Sequence, residues 1–347
     1  MVFLFRGDMA MRAVFGAAAI VLFAIAAGAH AADPTATYGD RIDEAISHGD
    51  FATAKATLLE AKGRGVSLSF PPPIEVIEGC LQAGKTAASP DERKAIAADR
   101  RNADNFAPDD DLSAAVALAN GWGVPKDRHR AVALVCHASG LARFEFDDMV
   151  AFLLDPATGP FLFCEHITSG ARSGQCESFA QDKLQAVRDR KLAKILAGFT
   201  PEQKAAFAAL TKANEAYIDA HAWGEQDMSG TLRGAFYADE AGKLHAAFLS
   251  AIEGFEGGKR PPKDDFAAAD KALNAAYRTA IANVAKNPDG TVTADGLRKT
   301  ERLWLKLRDA WAAFGTARYS GTSADDWNAW ATRVRLGILK DGFRSFE

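Results

Sequence analysis

Apolar residues recur along most of this chain at intervals of three and four, the period of an α-helix, and no run shows the strict alternation of a half-buried strand. The predicted fold is all-α: helical hairpins, with N-terminal repeat-like helix pairs packed with or linked to a C-terminal helical bundle. Residues 40–48 and 51–62 read as a helix pair broken at Gly49-Asp50. A loop over 64–74 carries Pro71-Pro72-Pro73 ahead of a short helix at 74–82. Residues 90–101 form a helical middle in a charged stretch. Helices follow at 112–120 and 130–139, with a turn holding Gly121, Gly123 and Pro125 between them. The apolar run 150–154 fits a helix that starts near Glu145. Residues 164–176 are rich in Gly and Ser and read as a turn, with a helix over 177–197 after it. Thr200-Pro201-Glu202-Gln203 is a strong start for a helix reaching 223. Further helices are expected at 229–255, 264–286, 293–318 and 323–341, the last opened by Ser323 and Asp326 as a capping pair.

The N-terminus changes this picture. Arg12 precedes an uncharged apolar run over 14–27, and Ala29-His30-Ala31 is an A-x-A cleavage signal. The run is shorter than the roughly 20 apolar residues a membrane span needs. Residues 1–31 therefore read as a signal peptide on a periplasmic or secreted protein, with no membrane span after cleavage. The remainder divides into a helix-pair region at 38–158 and a second helical region at 160–347. A formal net charge of −4 argues against nucleic acid as a partner.

Four cysteines in an exported chain favour disulfides. Cys164 and Cys176 are close in sequence with Gly170 and Gly174 between them, which suits a closed loop; Cys80 with Cys136 is the other pair. The competing reading is a metal site, since His137 follows Cys136 and His166 lies near Cys164. No two-residue Cys spacing supports zinc, so neither metal nor cofactor is expected.

Chemistry-bearing residues concentrate between 270 and 309. Asp270, Leu273, Asn274 and Tyr277 share one helical face at i, i+3, i+4 and i+7. On the next helix Leu297, Glu301, Trp304, Arg308 and Trp311 form a stripe. Polar groups on an apolar stripe must pair or bind something. A short turn joins the two helices, so an antiparallel hairpin is expected, with Asp270 or Glu301 paired to Arg302 or Arg308. The spacing favours a packing clamp over a ligand site. Two acids across a cleft would suit a glycosidase, but no nucleophile motif accompanies them, and a non-enzymatic protein is the expectation.

Two stretches resemble known families. The turn at 121–127 with its alanine-spaced following helix resembles a Sel-like, tetratricopeptide-type repeat, and 38–63 looks like a looser copy. Asp270, Leu273, Asn274 and Tyr277, with Glu301, Arg302, Trp304, Arg308 and Asp309, resemble the LprI-like lysozyme inhibitor domain, most firmly over 264–341. Phe266 and Trp311 stand near the places where that family has flanking cysteines, and Glu301 where it usually has Gln. The resemblance implies a non-catalytic protein whose partner is a lysozyme-type enzyme, touched through an exposed loop. Ser169, Gly170, Arg172 and Ser173, closed by Cys164 and Cys176, are the candidate loop. The alternative is an envelope scaffold or assembly protein that holds an envelope partner through its helix pairs.

Overall fold

The computed structural model describes residues 37–99, 101–102 and 111–342. The signal-peptide reading of 1–31 lies outside these. Among the described residues there are thirteen α-helices and no strand, so the fold is all-α. They are α1 Tyr38–Ser47, α2 Phe51–Gly63, α3 Ile74–Ala83, α4 Pro90–Ala98, α5 Asp111–Asn120, α6 Arg128–Cys136 and α7 Arg143–Leu154. After a 3₁₀ turn at Phe163–His166 come α8 Gly170–Leu196, α9 Pro201–Gly224, α10 Arg233–Glu256, α11 Phe266–Val284, α12 Ala294–Arg318 and α13 Ala324–Gly342.

Most helix starts follow from one capping side chain. Thr37, Ser89 and Thr200 form reciprocal boxes with Asp40, Glu92 and Gln203. Asp50, Asp127, Asp265 and Thr293 each accept a backbone N–H from the first turn. Ser323 and Asp326 exchange bonds of 2.8 and 3.2 Å, the predicted pair. Each cap contributes about 1 kcal/mol. The α5–α6 turn needs its glycines: Gly121 and Gly123 have φ of 72° and 77°. A Cβ on Gly123 would also stand 2.5 Å from the Ala95 carbonyl oxygen.

Two hydrophobic clusters form. The first gathers α1–α7 around Ile77, Leu112, Val116, Leu134 and Met149. The second gathers α9–α13 around Leu210, Ile252, Leu297, Phe314 and Trp327. Cys80 of α3 is bonded to Cys136 of α6, and Cys164 to Cys176, each pair with Cα atoms 5.7 Å apart. The first cluster does not stop at residue 158, where the sequence suggested a division. Phe161 and Phe163 are fully buried in it, and the Asn120 side chain both donates to and accepts from the Phe161 backbone. Along α8, Cys176 and Phe179 pack on the first cluster, whereas Leu192 and Ile195 pack on the second. One 27-residue helix thus serves both.

The predicted turn over 164–176 is the main departure. Helix α8 begins at Gly170, not near 177. Its early glycines permit close packing instead of chain reversal. A Cβ on Gly170 would lie 2.3 Å from Thr231 Oγ1, and one on Gly174 would lie 3.1 Å from Gly234 Cα. Further along, Gln181 fills the space a side chain at Gly242 would need. Helices α8 and α10 therefore run parallel in close contact. The buried Glu145 of α7 anchors the start of α8 by accepting the backbone N–H groups of Thr168 and Ser169. Burial pushes its carboxyl up, but these bonds outweigh it and hold the pKa below the usual range.

Candidate functional site

Trp327, Ala331, Arg335 and Leu339 make one row along α13 at steps of four, and none is more than 6% exposed. A guanidinium in such a row is tolerable only when fully paired. Arg335 grips Glu225 with two bonds, Nη1 to Oε2 at 2.8 Å and Nη2 to Oε1 at 2.5 Å. Its Nε donates to Glu301 Oε2 at 3.1 Å, and Nη1 also donates to Tyr217 Oη at 3.3 Å. The charge continues outward through His221. Its Nδ1 sits 3.0 Å from Glu225 Oε2 without the alignment of a hydrogen bond, and its Nε2 sits 3.1 Å from Glu240 Oε1.

Small residues bring these groups together. Helices α9 and α12 run antiparallel and touch at Gly224 and Gly296, where an added Cβ on Gly296 would meet the Gly224 carbonyl oxygen at 3.0 Å. Buried Thr300 donates to the Ala220 carbonyl at the same crossing. Glu225 and Glu301 are the next residues along, so the close approach sets both carboxylates against α13. The network then ties α9, α10, α12 and α13 into one unit.

Electrostatics follow from this geometry. Burial pushes Glu225 up, but Arg335 and His221 outweigh it and hold the carboxyl at about 2. Burial pushes Glu301 up, and its single bond to Arg335 does not reverse that. Burial pushes Tyr217 up to about 12. Burial lowers the His221 pKa, whereas the carboxylates of Glu225 and Glu240 raise it more, so the net shift is upward. A raised histidine stabilises the fold fully below its unfolded pKa, near 6.5, and loses that contribution as pH climbs through the folded value. His245 is shifted the opposite way by burial, so wild type alone mixes two effects. We expect the stability gap between wild type and His221→Gln, from urea unfolding, to shrink as pH rises above about 6.5. A gap that stays constant to alkaline pH would show that His221 is neutral.

The predicted motif residues divide between two faces. Leu273 and Trp304 are buried in the second cluster, and Glu301 points into the network. Tyr277 is half-buried, its pKa raised by burial and then by the charge of Glu301. Arg308 lies between the rings of Phe266 and Trp304, 5.5 and 5.6 Å from their centroids, and pairs with Asp309. Phe266 and Trp311, where the resemblance suggests cysteines, thus contribute aromatic packing. Asn274 is exposed and donates to Asp270 at 2.8 Å; Arg302 is also exposed.

Two sequence readings require correction. Glu301 pairs with Arg335 rather than with Arg302 or Arg308, and Asp270 pairs with Asn274 rather than with an arginine. The reason is that α11 and α12 scarcely touch each other: α13 packs on both, and α12 also packs along α9. Ser169, Gly170, Arg172 and Ser173 form no exposed loop, because they are the N-cap and first turn of α8. Arg172 is held by the Ser139 carbonyl and by Gln175, and the Ser173 hydroxyl donates to the Ser169 carbonyl.

Tyr217, His221, Glu225 and Arg335 were missed. The cue was present: a charged residue inside a four-spaced apolar row, and a His–Glu pair at i, i+4. Among the described residues no cluster of His, Cys, Asp and Glu has the form of a metal site. His221 and Glu225 are 2% and 6% exposed, which suits a sealed structural network.

Comparison with known proteins yields one family. No curated protein and no solved structure matches the chain. The family model described as lysozyme inhibitor LprI matches residues 263–337, a span that takes in α11, α12 and most of α13 with Arg335, so this C-terminal segment is similar to that family.

Proposed function

We propose that the protein is an exported, non-catalytic binding protein of the lysozyme-inhibitor type, with 160–347 as the inhibitory region and 38–158 as a Sel-like helix-pair layer. The observation that carries this reading is the family match over 263–337, which contains the whole motif from Asp270 to Asp309. Two cystines fit an oxidising compartment, and no helix among the described residues is long and apolar enough to cross a membrane. The buried network gives the region a rigid frame, which lowers the entropic cost of binding. On that frame Asn274, Arg302 and Asp309 are displayed outward from α11 and α12.

Purified protein should slow lysis of a peptidoglycan suspension by a lysozyme. The pair Asn274→Ala and Arg302→Glu should weaken inhibition at least about tenfold while leaving the melting temperature unchanged, because both side chains are exposed. Undiminished lysis at a large molar excess of the protein discards the reading.

A second reading, an envelope scaffold, is favoured by one exposed aromatic pair outside the first cluster. Phe70 and Phe144 are 77% and 61% exposed and meet edge-to-face with centroids 5.6 Å apart. Phe70 also has φ of 59°, a costly conformation for a bulky side chain. Capture of an envelope protein by wild type, lost in Phe70→Ser with Phe144→Ser, would support the scaffold.

A further inference from the structure

A cavity of about 490 Å³ opens between α9, α10, α12 and α13, with Tyr217 of the buried network in its wall. The rings of Tyr217, Phe248, Phe255, Trp311 and Trp330 line it. Its size falls within the range of small-molecule sites, and its largely apolar wall with a few polar groups has their character. Two observations show that it is more than a packing gap. Asn214 also lines it, is 5% exposed, and its side-chain nitrogen has no hydrogen-bond partner. A buried amide left in that state costs about 1–3 kcal/mol and leaves an unused donor on the cavity wall. At the rim stand Lys259 and Arg260, both exposed. Arg260 is occupied by the Phe255 carbonyl and the Tyr319 ring, while the Lys259 stem lies over Gly254.

We propose that this cavity binds a single-chain amphiphile of the fatty-acid class, with its apolar chain among the aromatic rings and its carboxylate at Lys259 at the mouth. Positive charge at the mouth selects an anion over a cation, and the apolar wall selects a chain over a sugar or a nucleotide. This site is independent of the outward face of α11 and α12, so its failure would leave the inhibitor reading intact.

The test uses the full chain freed of lipid, titrated below micelle formation with dodecanoate, dodecanol and dodecyltrimethylammonium. Calorimetry and tryptophan fluorescence are the readouts, since Trp311 and Trp330 line the cavity. Dodecanoate should bind at one site and change the fluorescence, dodecanol more weakly, and the cation not at all. Lys259→Glu changes an exposed residue and should weaken dodecanoate binding roughly tenfold without altering the circular dichroism. Ala251→Trp, which fills the cavity, should abolish binding. Lack of dodecanoate binding overturns the proposal, as does equal binding of the cation or unchanged affinity in Lys259→Glu.

Discussion

Arg335→Ala should cost about 3–5 kcal/mol of unfolding free energy. The substitution leaves Glu225 and Glu301 buried without their cation, and Glu225 sits 2% exposed at its side chain. Its carboxyl, held near 2 in the native protein, would lose its main stabilising charge. Arg335→Lys should recover only part of the loss, because an ammonium cannot make the two-pronged grip on Glu225. Replacing Arg335, Glu225 and Glu301 together by Met, Gln and Leu should recover more, since an apolar core is often as stable as a buried ion pair. Urea unfolding followed by tryptophan fluorescence reads these changes in the second cluster, which holds Trp304, Trp311 and Trp327. A loss below about 1 kcal/mol for Arg335→Ala, the range of an exposed pair, would mean the network is solvated.

The helices were legible because their ends carry local chemistry. Thr200 with Gln203 and Ser323 with Asp326 announce starts that any neighbour would leave unchanged. Gly170 and Gly174 were misread because a glycine has two uses. It permits positive φ in a turn and it permits two backbones to approach, and only the position of α10 decides between them. The site was half legible for the same reason. Glu301 and Asp270 stood out as polar groups on helical stripes, but their partners depend on which helix lies between. A short turn from α11 to α12 suggested a hairpin; α13, later in the chain, packs on both and supplies Arg335. The stretch 263–337 names a family without its ion-pair partners Glu225 and His221, which lie upstream of the match. Local pattern therefore identifies the motif, whereas much of the charge balance that holds it comes from a contact 110 residues away in the sequence.

Trp327→Ala should be comparably severe, at about 3–5 kcal/mol. The indole is fully buried and touches Phe255, Trp311, Tyr319 and Trp330, with the Phe255 centroid at 4.7 Å. Its Nε1 donates to Thr322 Oγ1 at 2.9 Å, so removal also strands a polar contact at the head of α13. The ring lies directly on Gly315 of α12. A Cβ there would stand 2.1 Å from Trp327 Cε2, in collision with the flat face of the indole. Helix propensity alone would make Gly315→Ala stabilising by about 1 kcal/mol. Overpacking against a ring with no room to move should reverse the sign and cost about 1–3 kcal/mol. With the indole gone the obstruction disappears, so Gly315→Ala in the Trp327→Ala background should revert to neutral or stabilising. The double variant should thus be more stable than the sum of the two single losses predicts, by more than the roughly 0.5 kcal/mol scatter of independent sites. Simple additivity in thermal or urea unfolding would show that α12 and α13 do not meet at this point, and would undo the register that places Arg335 against Glu301.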